Sequence, residues 1–298
     1  MIEVPAALAA TQIEDNGEAG RAFVAALPGL AAAFLDRWGL RRDGPAMHGR
    51  CALVLPVVRT ADAVPAVLKL QPPDRETVGE PLALRTWDGD GAVRLLAHDR
   101  DTGAMLLERL DPARSLSRVA GSREAVEVIA RLLARLTAVE APAELRRLGD
   151  IARALPERTT RALERIADPE HRRLLADCAA AVREVADEPG DRLLHWDLHY
   201  DNVLAAERAP WLAIDPKPLA GDPGFELYPA LVNRFDPDEI RRRFDALTAH
   251  LALDRERARA WTLARALQNC LWDAEDGRSP GPASLEIARR VRALPAGG

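Results

Sequence analysis

The sequence predicts an α+β fold with two lobes, a smaller one built on an antiparallel sheet and a larger one that is mainly helical. Three observations predict it. Short apolar runs separated by turn residues fill the chain up to about residue 110, and apolar residues recur with the 3.6-residue period of helices beyond about residue 120. Inside the helical half lies one island of short β-like runs, at 192–214.

Composition and charge exclude several classes of protein. The 298 residues carry 41 basic and 46 acidic side chains, a net charge of −5, and 48% are hydrophobic, which excludes intrinsic disorder and collagen. Nucleic acid is not an expected partner, because non-specific binding needs clustered cations. The stretch Ala22–Leu35 is too short to span a membrane and contains Pro28, and the first residues lack the basic and apolar regions of a secretory signal.

The three cysteines, Cys51, Cys178 and Cys270, predict a reduced, cytoplasmic protein. They lie far apart, are odd in number and form no Cys-x-x-Cys pair, so neither a disulfide framework nor a zinc knuckle is expected. The expected assembly is a monomer or a weak dimer.

Lysine is almost absent from the chain. Only Lys69 and Lys217 are lysines among the 41 basic residues, and the rest are arginine, a bias that a GC-rich genome explains. In that background, a lysine that remains is a candidate for a role that needs a compact ammonium on a slim stem rather than a wide planar guanidinium. Chance survival is the alternative for each of them.

The first lobe is expected at 1–107 and begins with a helix. Residues 14–38 have a helical pattern, which we expect to break at Pro28. Two short apolar runs, Cys51–Val58 and Ala66–Leu70, flank a polar turn and predict an antiparallel hairpin.

A helix and a second hairpin follow in the first lobe. Asp74 is a candidate N-cap for a helix that ends at Trp87, before a run of aspartate and glycine. The runs Ala92–Ala97 and Ala104–Leu110 predict the second hairpin, and Asp111-Pro112 is expected to end it.

The second lobe is expected at 113–298, after a hinge at 108–112. Apolar residues recur with helical spacing in five segments, which predict five helices. These segments are Ala125–Val139, 158–167, 170–186, 236–251 and 253–275.

The island in the second lobe carries the polar residues that chemistry needs. Asp197 and Asn202 are five residues apart and bracket a tight polar turn. A strand at Val203–Ala205, a turn and a second strand ending in Asp215 predict a hairpin that returns Asp215 close to Asn202. Asn and Asp oxygens on neighbouring strand ends are ligands that Mg²⁺ accepts when it also binds substrate phosphates.

These residues resemble the protein-kinase-like phosphotransferases. The form His-x-Asp-Leu-His-x-x-Asn at 195–202, followed by Ile-Asp-Pro at 214–216, is similar to the aminoglycoside phosphotransferase family, whereas protein kinases have His-Arg-Asp and Asp-Phe-Gly. Within that family, Leu212–Pro218 with Gly221–Glu226 is similar to the streptomycin 6-kinase and hydroxyurea phosphotransferase group. The upstream runs agree with that group: Val67–Leu70, Ala83–Leu96 and Leu106–Leu110.

The resemblance implies a two-lobed protein-kinase-like fold and ATP- and Mg²⁺-dependent phosphorylation of a hydroxyl on a small polar molecule. It implies that Asp197 is the catalytic residue that orients this hydroxyl and takes its proton. It implies that Asn202 and Asp215 bind the metal. His195 resembles a histidine that braces the loop and takes no part in the chemistry.

The resemblance also implies nucleotide contacts in the first lobe. Lys69 matches the lysine that holds the α and β phosphates of ATP, and its helix partner is Glu80 or, one turn earlier on the same face, Glu76. Glu108 and Leu110 match the segment whose backbone meets adenine.

The acceptor site is where the sequence departs from the family. Trp196 stands between the histidine and the aspartate, where the family usually has glycine, and a bulky indole there is expected to reshape the acceptor pocket. No glycine-rich nucleotide loop is visible. Asp273, Glu275 and Asp276 cluster near Trp272, which indicates either recognition of a cationic acceptor, such as a guanidino or amino sugar, or a solvated surface beside a core tryptophan.

The expected acceptor is an aminoglycoside such as streptomycin. Two alternatives remain: a kinase of a metabolic sugar, amino sugar or antibiotic-biosynthesis intermediate, and a catalytically weak nucleotide-binding module. A zinc site at His195 and His199 is disfavoured, because the flanks resemble a strand and a turn rather than a helix. Lys217 either contacts phosphate or pairs with Asp222.

Overall fold

Two units, each with its own packing, divide the chain in the computed structural model, which describes residues 2–295. The N-terminal unit holds the residues up to Gly89 and Val93–Leu110, and the C-terminal unit holds Asp90–Ala92 and the chain from Asp111 onwards. Asp90–Ala92 belong to the second unit because the N–H of Ala213 donates to the carbonyl of Gly91 at 2.9 Å. The hinge role of 108–112 stays a prediction.

The N-terminal unit contains one long helix, an antiparallel sheet and one short helix. Its elements are α1 (Ala6–Arg37), β1 (Leu40–Arg42), β2 (Met47–His48), β3 (Leu53–Arg59), β4 (Pro65–Leu70), α2 (Glu80–Trp87), β5 (Leu95–His98) and β6 (Met105–Glu108). The strand order is β1-β3-β4-β6-β5, with β2 beside β3, and the pairs are antiparallel. Both predicted hairpins are therefore confirmed, as β3–β4 and β5–β6.

The prediction that the first helix breaks at Pro28 is wrong. Helix α1 begins at Ala6, continues through Pro28, and departs from helical geometry at Gly17, where φ is +56° and glycine alone meets no Cβ penalty. Leu27, Ala31 and Phe34 of α1 pack into the core of the sheet, and this burial offsets the hydrogen bond that Pro28 lacks.

Helix α1 is also long and apolar enough to cross a membrane by length and composition alone. The apolar character of the helix has a second explanation, however, because its apolar face contributes Leu8, Leu27 and Phe34 to the core of the sheet. The absence of a membrane partner stays a prediction.

Helix α2 is shorter than the sequence indicates. The carboxylate of Asp74 accepts hydrogen bonds from the N–H groups of Glu76 and Thr77, as an N-cap does, but the segment it opens is a turn. The helix begins only at Glu80, with proline at its next position. Glu76 therefore lies in the turn ahead of the helix, not on the same helix face as Glu80.

The C-terminal unit is mainly helical, with two small ladders of strands. Its elements are β7 (Asp111–Ser115), α3 (Ser122–Leu136), α4 (Leu148–Arg165), α5 (Pro169–Val185), β8 (Arg192–Leu194), β9 (Val203–Ala205), β10 (Leu212–Ala213), β11 (Leu219–Gly221), α6 (Tyr228–Val232), α7 (Ile240–His250), α8 (Arg255–Glu275) and α9 (Pro282–Arg292). One ladder has the order β10-β9-β7 and the other pairs β8 with β11.

Two predictions about this unit need correction. Asp111-Pro112 does not end a hairpin but starts strand β7, and its proline is tolerated because β7 is at the edge of the ladder. Helix α4 begins at Leu148, ten residues before the predicted 158, and helix α9 was not predicted. The other predicted helices are confirmed to within a few residues as α3, α5, α7 and α8.

Candidate active site

The β8–β11 ladder positions the segment after β8. Leu194 pairs with Leu219 and Leu193 with Ala220 in an antiparallel register. The N–H of Lys217 donates to the carbonyl of His195 at 3.0 Å, so the pairing continues past the last strand residues. Two segments that are 20 residues apart in the chain are therefore held side by side.

The β9–β10 hairpin positions the predicted metal ligands. Val203 pairs with Ala213, and the N–H of Ile214 donates to the carbonyl of Asn202 at 2.9 Å. Asp215 follows directly, so the predicted return of Asp215 to the neighbourhood of Asn202 is confirmed. The side-chain Nδ2 of Asn202 donates to the carbonyl of Asp197 at 2.9 Å, which fixes the amide and leaves its Oδ1 as the atom suited to a cation.

Two residues of this site have left-handed backbones. Trp196 has φ of +65° and Asp215 has φ of +58°. Such a conformation in a residue other than glycine costs of order 1–3 kcal/mol and persists only where surrounding contacts impose it. Aspartate tolerates it better than most residues, whereas tryptophan does not, so the strain at Trp196 is the more informative of the two.

The donor set of Asn202 and Asp215 fits Mg²⁺. Both supply hard oxygen ligands, one amide and one carboxylate, and Mg²⁺ is commonly held by one or two protein carboxylates together with substrate phosphates. Within residues 2–295, no group of three or more His, Cys, Asp and Glu side chains is placed to hold a metal by itself.

Asp197 makes an ion pair that the sequence analysis did not predict. Its Oδ2 lies 3.0 Å from Nζ of Lys217, with 23% of the aspartate and 34% of the lysine side chain exposed. Asp222, the partner that was considered for Lys217, instead accepts from Nε of Arg257 at 2.5 Å. Asp222 also caps a short helical turn by accepting from the N–H of Gly224.

A cavity of about 240 Å³ opens beside Asp197. Its lining is polar, with one carboxylate, one guanidinium, two amides and one phenol: Asp197, His199, Tyr228, Pro229, Val232, Asn233, Arg265 and Asn269. A larger cavity, of about 440 Å³, contains none of the predicted site residues. Asp197 is the predicted site residue that contributes to the lining of the smaller one.

Trp196 lies in the interior instead of on an open pocket wall. Its side chain is 2% exposed, and the guanidinium carbons of Arg146 and Arg265 lie 4.4 Å and 4.8 Å from its ring centroid. These distances are those of cation–π contacts. Its ring also meets Phe225 edge to face, with centroids 6.1 Å apart. Direct contact of the Trp196 ring with an acceptor is therefore not supported.

Glu226 lies beneath this tryptophan and fixes its backbone. Its Oε1 accepts from the N–H of Trp196 at 2.7 Å, in a position with no exposure to solvent. Burial raises the pKa of Glu226 to about 7, against the lowering effects of the Trp196 N–H and the charge of Arg265. The hydrogen bond holds Trp196 in the left-handed conformation next to Asp197.

His195 is buried and neutral. Burial lowers its pKa to about 4, although Asp197 opposes the shift. Its Nε2 is 3.0 Å from the carbonyl of Ile214, and its Nδ1 is 3.3 Å from the N–H of Asp197, which assigns the proton to Nε2. The bond to Ile214 ties the segment after β8 to the segment after β10, and the bond to Asp197 is local, in agreement with a bracing role.

In the N-terminal unit, Lys69 and Glu80 form a buried ion pair. The Nζ of Lys69 lies 2.7 Å and 2.8 Å from the two carboxylate oxygens of Glu80, which is 0% exposed. Nε2 of Gln71 donates to the same carboxylate at 2.8 Å. Glu80, one of the two candidate partners of Lys69, thus contacts it directly, and its contacts are charge-assisted hydrogen bonds.

Glu108 and Leu110 lie at the end of the same unit. The N–H of Glu108 donates to the carbonyl of Arg94 at 3.0 Å, which engages it within the sheet region, and Leu110 is buried. Contact of these two residues with adenine stays a prediction.

The acidic cluster near Trp272 is a set of internal ion pairs. Arg278 lies 2.9 Å from a carboxylate oxygen of both Asp273 and Asp276, and Arg158 binds Glu275 through two hydrogen bonds. Trp272 is half-buried, with Arg265 5.5 Å from its ring. Asp273 and Asp276 are therefore neutralised by the protein's own arginines, so the structure does not support them as ligands of a cationic acceptor, nor does it bring Trp272 into the lining of the cavity.

A family model described as aminoglycoside/hydroxyurea antibiotic resistance kinase matches residues 37–277. The chain belongs to this family. It is 63% identical over 279 residues to a hydroxyurea phosphotransferase from Kitasatospora aureofaciens, across 93% of this chain and 82% of that one. It is 54% identical over 301 residues to a streptomycin 6-kinase from Streptomyces glaucescens, across 98% of both chains. The family resemblance predicted from the sequence is confirmed.

A solved structure with the same fold is an aminoglycoside phosphotransferase in complex with ADP and hygromycin B. The TM-score is 0.60 over 88% of this chain and 97% of that one, with 13% identical residues. The predicted protein-kinase-like α+β fold is therefore confirmed. Membership of the family makes the chain a kinase of small molecules, with a hydroxyl group as acceptor and ATP as the phosphoryl donor.

Proposed function

We propose that this kinase phosphorylates a hydroxyl of an aminoglycoside of the streptomycin class and uses Asp197 as the base. The observation that carries the proposal is that the carboxylate of Asp197 lines a polar cavity and belongs to the same short segment as Asn202. The streptomycin 6-kinases from two Streptomyces species, 54% and 53% identical to this chain, support the acceptor class.

In the proposed reaction, the oxygen of the acceptor hydroxyl forms a bond to the γ-phosphorus of ATP. The bond from that phosphorus to the β,γ-bridging oxygen breaks, and ADP leaves with the electron pair. The hydroxyl proton passes to the carboxylate of Asp197. Positioning and charge neutralisation supply most of the acceleration in reactions of this kind.

We propose that Asn202 and Asp215 hold Mg²⁺, which neutralises negative charge on the phosphates of the nucleotide. The amide oxygen and the carboxylate have the hardness this ion requires. Lys69, kept in place by Glu80, is proposed to bind phosphate oxygens, and Glu108 and Leu110 to contact adenine. Cytoplasmic location and a monomeric or weakly dimeric state stay predictions.

Hydroxyurea is the second candidate acceptor. A relative at 63% identity is named a hydroxyurea phosphotransferase, and the cavity lining holds one carboxylate, Asp197, and one guanidinium, Arg265, so it can also accept a neutral polar molecule. Asn233 and Asn269 offer amides that can exchange hydrogen bonds with a urea group.

The test incubates the protein with Mg·ATP and a panel of streptomycin, hydroxyurea and amino sugars, followed by mass spectrometry for a phosphate adduct. We expect a phosphate adduct of streptomycin or of hydroxyurea. ADP should be released at the same rate as this adduct forms. In Asp197→Asn, kcat should fall by about 10²- to 10⁴-fold, the usual contribution of proton transfer, while ATP affinity stays within a few-fold.

Two outcomes would count against the proposal. Near-normal turnover in Asp197→Asn would show that Asp197 is not the base. A phosphate adduct with an amino sugar, and none with streptomycin or hydroxyurea, would place the acceptor in the alternative class. Arg135→Met, which breaks an exposed ion pair to Asp90 within the C-terminal unit, is the control for non-specific loss of activity.

A further inference from the structure

We propose that Lys217 is a positioning residue for Asp197. The inference rests on the proposed function, because it assigns to Lys217 the task of holding the carboxylate that takes the acceptor proton. It concerns a residue that the family resemblance did not assign and for which the sequence left two other roles open.

The backbone of Lys217 is fixed relative to the catalytic segment. Its N–H donates to the carbonyl of His195 at 3.0 Å, just beyond the last pair of the β8–β11 ladder, Leu194 with Leu219. Pro216 and Pro218 flank it, and each locks its own φ near −65°. The side chain therefore starts from a rigid point close to Asp197 and needs little ordering to reach it.

The contact defines which oxygen of the carboxylate lies next to the ammonium. Nζ of Lys217 lies 3.0 Å from Oδ2 of Asp197. In the proposed arrangement, Oδ1 is the oxygen that meets the acceptor hydroxyl. From the other side, Asn202 binds the main-chain carbonyl of Asp197, so both the backbone and the side chain of the base are held.

Stability does not explain this ion pair. Partly exposed pairs such as this one contribute little to folding. A chain with arginine at all but two of its basic positions nevertheless has lysine here, and its other lysine, Lys69, also binds a carboxylate. An ammonium is a compact point charge on a slim stem, whereas a planar guanidinium fork tends to bind both oxygens of a carboxylate and would compete with the acceptor.

The ammonium stays protonated through the reaction. The acceptor proton moves to Oδ1 of Asp197 as the new oxygen–phosphorus bond forms and the bond to ADP breaks. Lys217 neither donates nor accepts a proton in this step. Its contribution is to keep Oδ1 directed at the hydroxyl, and misplacement of a reacting group by about 1 Å can cost about 10²-fold in rate.

The first experiment measures kcat and KM of Lys217→Met with the acceptor identified above. We expect kcat to fall about 10- to 100-fold, with KM for ATP and for the acceptor within about threefold of the wild type. Lys217→Arg should recover only part of the loss. The unfolding midpoint should change by no more than about 4 °C, because the pair is partly exposed. Arg135→Met, at another ion pair of the same unit, should keep wild-type kcat.

A rescue experiment separates positioning from a structural role. Lys217→Cys is assayed before and after alkylation with 2-bromoethylamine, which rebuilds a lysine-like ammonium on a thioether stem. We expect kcat to recover at least tenfold on alkylation. Burial raises the pKa of both Cys178 and Cys270 to about 12, which protects them, and the alkylated wild type controls for Cys51.

The outcomes distinguish this inference from the proposed function. If Asp197→Asn is inactive and Lys217→Met keeps kcat within threefold, Lys217 has no positioning role and the inference alone is wrong. A raised acceptor KM with unchanged kcat would make Lys217 an acceptor-binding residue and would also overturn it. No recovery on alkylation would contradict it as well. Near-normal turnover in Asp197→Asn would overturn the base and the inference together.

Discussion

The buried carboxylate of Glu226 links the backbone of the candidate active site to pH. Its Oε1 accepts the N–H of the strained Trp196, next to the proposed base Asp197. Burial raises its pKa from an ordinary 4.5 to about 7, so the folded protein binds a proton here more readily than the unfolded chain does. The stability that this proton binding contributes is complete below pH 4.5 and is lost as the pH rises through about 7.

The loss of stability with rising pH should be absent in Glu226→Gln. The amide oxygen can still accept from Trp196, but the side chain no longer titrates. The unfolding free energy of the variant, measured relative to the wild type by urea denaturation, should therefore rise by roughly 2 to 3 kcal/mol between pH 5 and pH 8. Glu18→Gln, at an exposed position, is the matched control. Parallel pH curves for the wild type and Glu226→Gln would contradict the prediction.

At the residue scale, the sequence predicted what local spacing determines. The interval from Asp197 to Asn202 and the hairpin to Asp215 are local, so their proximity followed from turn and strand signals. The contact of Lys217 with Asp197 depends on pairing between β8 and β11, two three-residue strands without a distinctive pattern. Arg278 lies five residues past Asp273 and binds its carboxylate. A basic residue that close in the sequence was a signal that the acidic cluster is paired within the protein.

At the element scale, the β8–β11 ladder depends on close packing at Gly221. A Cβ there would lie 2.7 Å from Cβ of Leu148 and 3.0 Å from Cδ1 of Leu194. The first of these is not the flexible end of a side chain, so helix α4 or the ladder would have to shift. The ladder in turn fixes the backbone of Lys217, which makes Gly221 a support of the site that touches none of its polar groups.

Gly221→Ala should destabilise the protein by about 1 to 3 kcal/mol, the usual cost of overpacking. It should also lower kcat, because the register next to Lys217 shifts. Gly29→Ala is the matched control: an added Cβ meets nothing within 4 Å there, and alanine in a helix interior should stabilise by about 0.5 to 1 kcal/mol. Equal unfolding midpoints for the two variants, measured by thermal denaturation, would show that the packing at Gly221 is not tight.

The first and last residues of the helices were the least predictable feature of the fold. Pro28 and Gly17 both lie in α1, and a local rule places the break at the proline, but burial of Leu27 and Phe34 keeps the helix continuous there. Helix α9 was missed, although Gly281-Pro282 is a good start signal and the segment Leu285–Val291 has helical spacing. Tertiary packing, not local preference, decided the first case.

At the scale of the whole molecule, nucleotide binding should raise the free energy of unfolding. A ligand that binds only the folded state at 100 times its Kd stabilises by about 2.7 kcal/mol, which raises the unfolding midpoint of a chain of this size by about 5 °C. We expect Mg·ATP to give this shift in a thermal denaturation experiment and EDTA to remove most of it.

Lys69→Met should lose most of the Mg·ATP shift. Its unliganded midpoint should also fall, because Glu80 keeps a buried charge without its ammonium partner, so the shift and not the absolute midpoint is compared. Arg135→Met should keep the wild-type shift. A full shift in Lys69→Met would mean that the ammonium does not contact the nucleotide.

The fold class and the division into a sheet-based and a helical part followed from hydrophobic period alone. The assignment of Asp90–Ala92 to the C-terminal unit did not, because these residues are held by distant contacts with Ala213, Arg135 and Arg208. Long-range pairings of this kind leave no trace in the local pattern.

The buried indole of Trp196 constrains how this protein can evolve. A change to glycine would relieve the left-handed backbone but would empty the space against which Arg146 and Arg265 stack. Two guanidinium groups would then border a void, and cavities of that size cost several kcal/mol, typically about 3 to 5 for loss of a large aromatic. A single Trp196→Gly change is therefore expected to be destabilising, and it should be tolerated only together with changes at the two arginines.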